Sequence, residues 1–585
     1  MKLQCLVAAA VLPSLIGVPA SAAAKTATPP AIPAATIGNP LSPGALPQAL
    51  RHAYAAGARR IVIRPGIYAL PAINHNIFRL NGWKNAAIRA YGVTLIMHAT
   101  GAGQNQIMFN MNHCRNVTLA GPTLSQSVVT AYQGPVVSMG TTRSGKRYAD
   151  WRPDKGYPVP PANSTKFPGG DMNVVSARTR MLKVGDGDFY GLSMKPLGHG
   201  VFRLFFPPQK KLHFRVGDFF VGRYGNPAFK VHLNSCRDCT LQDITLLRNG
   251  FAPIREEGHG GGNHIIHCIW TLGPKPKGAT ESPLVTNEAD GFHSTGANPG
   301  PDIERCIFRG VFLDDCIAIH GYFALIKKSK GRTFTLAGGN GGLKVGQPAR
   351  ISNENGFFAQ GTVAAMRHVG KRWIVTLTKN LHVPAGAKVS NPMINGPGYK
   401  IIGCKIGGTR SRGVLLKADN GLVEDNLITG CGMPAVSLGP EYYWNEADYV
   451  WHVRVIGNKF VGNGAAGYGG PAIFIHGHGA IGNRNIVVAN NRFVSNYQGD
   501  IQAQWARGLK ISRNAMQPPR TWPGGITPRP PAISIANCRN VILRGNSLTV
   551  MANHPHGKRL SVGPNVKGLH GKGPRGIRLV IRKQR

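Results

Sequence analysis

Gly421-Leu422-Val423-Glu424-Asp425-Asn426, Val453-Arg454-Val455-Ile456-Gly457-Asn458 and Asn485-Ile486-Val487-Val488-Ala489-Asn490 share one pattern, a short run of alternating apolar residues that closes on asparagine. It returns as Asn540-Val541-Ile542-Leu543-Arg544-Gly545-Asn546. Earlier, Cys or Asp takes part in it, as in Cys114-Arg115-Asn116-Val117-Thr118-Leu119, Cys236-Arg237-Asp238-Cys239-Thr240-Leu241 and Asp302-Ile303-Glu304-Arg305-Cys306-Ile307. Alternation over so few residues points to short strands with one face buried. Recurrence at roughly 20 to 35 residues, among 76 glycines, points to one unit stacked on itself. Long helical periodicities are few, so alternating βα folds are disfavoured. The expected fold is all-β, a right-handed parallel β-helix.

Working outward, Ser42-Pro43 opens a helical pattern through Ala56, ended by Gly57, before the strand-like Arg60-Ile61-Val62-Ile63. Such a unit suits the end cap of a solenoid. Residues 23–40, rich in Ala, Pro and Thr, read as a disordered leader. Residues 1–22 read as a secretory signal: Lys2, an apolar run from Leu3 to Val18, then Ala20-Ser21-Ala22. The expected location is therefore secreted or periplasmic. No later stretch has the roughly 18 apolar residues of a membrane span. Residues 41–585 are expected to form one catalytic β-helix with small barrel-like insertions at about 183–230 and 323–397, where the asparagine motif is missing. The second follows His320-Gly321-Tyr322 directly and would wall one side of a site.

Lys and Arg number 69 against 25 Asp and Glu, a net charge of +44. The basic residues are scattered, with one modest cluster from Lys558 to Arg585, and no nucleic-acid motif accompanies them. Retention on an anionic polysaccharide or cell envelope fits better, as does secretion into an acidic medium. Of the ten cysteines, Cys5 lies in the signal, and most of the other nine sit in apolar runs where thiols behave as small hydrophobes. Cys236 and Cys239 lack a second pair at zinc spacing, so no metal is expected. The glycine-rich loop around His259 lacks the strand-to-helix context of a phosphate cradle.

Against this basic background, Glu288-Ala289-Asp290-Gly291-Phe292-His293 and Leu313-Asp314-Asp315-Cys316-Ile317-Ala318-Ile319-His320-Gly321 stand out. Asp290 and Asp315 are 25 positions apart, about one coil. Aligned on them, Phe292 meets Ile317 and the glycines at 296 and 321 coincide. Coils stack about 4.8 Å apart, so these carboxylates would lie one above the other with Asp314 beside them. Crowded, partly desolvated carboxylates acquire split pKa values, the recipe for glycoside hydrolysis. In a regular strand Asp314 and Asp315 would face opposite ways, so the pair must occupy a turn entering the strand. Gly413-Val414-Leu415-Leu416-Lys417 and Ala472-Ile473-Phe474-Ile475-His476 continue the column. His293, His320, Lys417 and His476 become candidate sugar contacts, and Trp444 and Glu446 a candidate platform and grip.

The motifs from Thr286 to His293 and from Asp314 to Tyr322 resemble those of glycoside hydrolase family 110. Tyr443-Trp444-Asn445-Glu446 and the run from Val453 to Phe460 extend the likeness over roughly residues 230 to 465. The resemblance implies a β-helix enzyme that removes terminal α-1,3-linked galactose with inversion and without a cofactor. It implies Asp314 as general acid and Asp290 and Asp315 as activators of water. The family more usually reads Asp-Asp-Ala-Ile-Asn-Val-His-Gly, where Cys316 and Ala318 depart, and Ser294 to Gly300 is longer than expected. The triad also resembles that of polygalacturonases on the same fold, although no Gly-His-Gly loop follows the Asp pair at their usual distance and no Arg-Ile-Lys motif occurs. A polysaccharide lyase holding calcium and a non-catalytic carbohydrate-binding solenoid are the remaining alternatives.

Overall fold

The computed structural model describes residues 32–71, 75–98, 106–208, 211–225, 228–466, 469–522, 530–551, 560–571 and 580–584. The signal segment lies outside them. Three long parallel sheets, of 15, 13 and 13 strands, receive one strand each from successive coils, which makes the fold a parallel β-helix. In the first sheet Ile401, Val423, Val455, Val488 and Ile511 stack in register. All five are buried in one continuous apolar core.

The asparagines explain why the motif repeats. A turn that enters the interior carries backbone N–H groups that no strand can satisfy. Asn426, Asn458, Asn491, Asn514 and Asn546 are buried at successive turns. The Asn426 oxygen accepts from the Cys404 N–H at 2.8 Å, and each of the other four accepts from the backbone N–H of the preceding asparagine in the ladder, at 2.9–3.1 Å. In the third repeat the rung is Asn491, one residue after the asparagine that closes the motif.

The helix Leu46–Ala55 buries Leu46 and Leu50 over the first coil. The leader expected to be disordered through residue 40 is ordered from Ala34. Ala34–Ile37 pairs in parallel with Arg60–Ile63 and supplies hydrogen bonds to an edge that would otherwise be open.

The first interruption, expected at about 183–230, begins much earlier. The chain leaves the coils after Gln126 and rejoins them at Phe229. Between them seven strands, from Ala131–Thr141 to Phe219–Arg223, form an open, mostly antiparallel sheet rather than a barrel. The second insertion is a closed six-stranded barrel spanning Ala324–Lys330 to Lys388–Ser390. Buried Arg350 clamps it to the coils through Asp419 (2.8 Å) and the Tyr449 carbonyl (2.7 Å). All nine cysteines of the described residues are buried free thiols. No helix among the described residues is long and apolar enough to cross a membrane.

Candidate active site

Phe292–Thr295 and Ile317–Tyr322 pair in the second sheet with Phe292 opposite Ile317, the register read from the sequence. Residues 313–316 form a bend before the strand, so alternation does not govern Asp314 and Asp315. Asn287 Nδ2 shapes the approach to Asp290 by donating to the carbonyls of Ala289 and Asp290, both at 2.8 Å. Gly291 is required by the close coils: a Cβ there would lie 2.6 Å from the Cys316 carbonyl. One oxygen of each of Asp290, Asp314 and Asp315 lies within 4.8 Å of the others.

Their surroundings differ. Asp315 is buried and accepts the Arg412 N–H at 2.7 Å, and its own N–H reaches Asp290 at 3.1 Å. Burial pushes its carboxyl up to about 7 despite Arg412. Burial also works against the Asp314 anion, but Arg410, Arg223 and Arg412 outweigh it and hold that carboxyl below the usual range. Arg223 lies 2.9 Å and Arg410 3.6 Å from Asp314. With 28 % of its side chain exposed against 4 % for Asp315, Asp314 is the member of the acid pair that meets solvent. Asp290 binds His293 Nδ1 at 2.5 Å. Burial raises the Asp290 carboxyl against the pull of His293.

A strap, residues 439–448, crosses the same face and pairs with Tyr322 through Glu446. His320 and Lys417 do project outward, yet the strap covers them and both side chains are wholly buried. Lys417 sits 3.1 Å from Glu446 and 3.5 Å from Glu441, and His320 lies 3.7 Å from Glu446. Burial, with His293 and Lys417, holds His320 neutral. His320, Lys417 and His476 form the floor beneath the strap and do not line the cleft as sugar contacts. Burial and Lys417 drive His476 down to about 3. Trp444 and Tyr443 project from the strap, 63 % and 85 % exposed, at the rim of a cleft of about 790 Å³.

Of the residues singled out from the sequence, Asp290, Asp314, Asp315, Trp444 and Glu446 line the cleft, whereas His293 lies behind Asp290 and the buried His320 and Lys417 do not reach it; much of the wall was missed. Asp171, Asp188 and Tyr190 come from the first insertion and Glu354 from the barrel. Glu441 and the arginines 223, 410 and 412 were also missed. A signal for Arg412 existed. Ile317 pairs with Val414, so the alignment that stacks Asp290 on Asp315 puts Arg412 next in the column. The triad's spacing would suit a cation, but donors already occupy it. Arg223 binds Asp314, the Arg412 N–H binds Asp315, and His293 with the Asp315 N–H binds Asp290.

No family model matches the chain. Alpha-1,3-galactosidase B of Bacteroides thetaiotaomicron is 22% identical over 400 residues, covering 63% of this chain. The matched region is 62% of that protein's length. Similar solved structures include the catalytic unit of a thermostable GH87 alpha-1,3-glucanase from Streptomyces thermodiastaticus, at 10% identity and TM-score 0.40, covering 95% of this chain and 71% of that one. Another is the tailspike protein of E. coli bacteriophage HK620 in complex with a pentasaccharide, at 11% identity and TM-score 0.42, covering 89% and 74%.

Proposed function

We propose that the protein is a glycoside hydrolase acting on a neutral α-linked glycan, with terminal α-1,3-linked galactose as the favoured substrate. The observation that carries this is the triad: three carboxylates from neighbouring coils, one held ionised and one titrating near neutrality, at the floor of a sugar-sized cleft. Splitting the pKa values of neighbouring acids is how one site supplies both a proton donor and a base. The likeness to a galactosidase supports the α-galactoside. Export belongs to the same proposal, supported by the charged-then-apolar run of residues 1–22.

Charge favours a neutral substrate over a uronate. Eight of the chain's 25 acids line this one cleft. Its cations are already matched: Arg223 by Asp171 and Asp314, Arg410 by Asp171 and Asp188, Arg412 by Asp315 and Glu441. A galacturonan would bring a carboxylate with no described arginine left to receive it, and burying an unmatched charge is costly. This separates the proposal from the polygalacturonase and lyase readings.

In the mechanism we propose, the triad titrates as a unit: the proton that Asp315 holds in the empty cleft passes to Asp314, the exposed acid, which delivers it to the leaving oxygen. Asp290 and Asp315 orient the water. A second reading makes Asp315 the acid, because its carboxyl is the one that titrates near neutrality in the empty cleft. Kinetics separate them. Asp314→Asn should spare an activated aryl α-galactoside and cripple a disaccharide by about 10²–10⁴-fold, whereas Asp290→Asn and Asp315→Asn should slow both. The same pattern in Asp315→Asn alone would move the acid role there. Inversion, giving the β-anomer first, is the expected outcome. The triad oxygens are closer than the roughly 6.5–9.5 Å of inverting pairs, so a first-formed α-anomer would establish retention instead. No turnover of any neutral glycan, with binding intact, would leave a carbohydrate-binding solenoid.

A further inference from the structure

The acids that crowd the cleft are missing from the far end of the solenoid. From Tyr449 to Arg585 the chain holds 20 Lys and Arg but a single acid, Asp500. Asp500 is buried, and burial pushes its carboxyl up to about 7. The coils arrange the cations in files. Along the first sheet Arg484, Arg507, Arg539 and Lys567 occupy one position of four successive coils, and the last three are exposed. A parallel file runs from Arg454 through Val487 to Lys510. Around the corner, exposed Lys459 and Arg492 are neighbours in the third sheet.

We infer that this face is a docking track for a linear, sparsely charged polyanion of the uronate polysaccharide class, separate from the cleft that processes neutral sugar. The file offers one cation per coil, about 4.8 Å apart. Duplex DNA carries one charge per about 1.7 Å, far denser than the file can match. Binding single-stranded nucleic acid also calls for exposed aromatic platforms, and no Trp, Tyr or Phe from residue 449 onward is exposed among the described residues. A polymer bearing one carboxylate per sugar asks only for spaced point charges.

The test uses the full chain on immobilised polygalacturonate, with retention measured against salt. Arg507→Gln/Arg539→Gln/Lys567→Gln should reduce the log–log salt slope by roughly 2 to 3, about 0.7–0.9 per cation removed as for nucleic acids. Lys328→Gln/Lys330→Gln/Lys371→Gln, an equal charge loss on the exposed barrel surface, should leave the slope nearly unchanged. Thermal melting of both variants should match the parent. Equal weakening in the two variants would overturn the track, since the charge would then act diffusely. Tighter retention on duplex DNA than on polygalacturonate at the same salt would assign the face to nucleic acid and overturn the partner.

Discussion

At the scale of single residues, the site is a set of carboxylates made unequal by what lies behind them. Arg223 touches Asp314 at 2.9 Å and also lies 3.4 Å from Asp171. Removing it takes away a cation that holds the Asp314 carboxyl low, so that pKa must rise. A neighbouring arginine is worth about 1–3 units to an aspartate. With Asp314 as the acid, Arg223→Gln should move the basic limb of the kcat/KM profile upward by about one unit. Movement of the acidic limb would identify Asp314 as the base. The aspartates were legible because they are rare and one coil apart, whereas Arg223 lies in an insertion whose strands follow no coil period. Lys417 shows a different limit. Its outward position could be read from parity, but its burial depends on a strap that begins some 20 residues later in the chain.

At the scale of the element, the asparagine ladder is the part of the fold most plainly written in the sequence, because each coil needs the same hydrogen-bonding group at the same turn. Asn491 is a central rung. Its oxygen accepts from the Asn458 backbone and side chain at 2.9 and 3.1 Å, and its Nδ2 donates to the Val455 carbonyl at 2.9 Å and to Asn514 at 3.0 Å. Asn491→Ala strands buried donors, each costing about 1–3 kcal/mol. The expected loss is about 2–4 kcal/mol, seen as faster amide exchange across residues 455–460 and 487–494. Asn565, whose Nδ2 bonds Asn537 in solvent at 3.0 Å, is the control, and its alanine variant should change stability by about 0.5 kcal/mol or less. Equal effects would mean that burial of the ladder matters little. The leader strand Ala34–Ile37 was not legible for the opposite reason. Four residues, Ala-Ala-Thr-Ile, carry too weak a pattern, and only the open edge of the next strand recruits them.

At the scale of the molecule, charge and architecture pull apart. The chain before Tyr449, coils and insertions together, holds 24 of the 25 acids and pairs many of them, while the last 137 residues hold one against 20 cations. In a solenoid each coil contacts mainly its neighbours, so local repulsion is answered by local stability. The terminal coils should therefore be weakened by their own charge, and salt should relieve it as the screening length shortens from about 30 Å at 0.01 M to 10 Å at 0.1 M. Amide exchange read strand by strand is the direct measurement. Raising NaCl across that range should slow exchange in the first-sheet strands Ala506–Ser512 and Arg539–Arg544. Strands Phe292–Thr295 and Ile317–Tyr322, beside the mixed charges of the cleft, should change little or lose protection slightly as their ion pairs are screened. A uniform response along the stack would mean that repulsion is shared by the whole helix. Greater protection at low salt in the terminal coils would show that their cations are not under mutual strain.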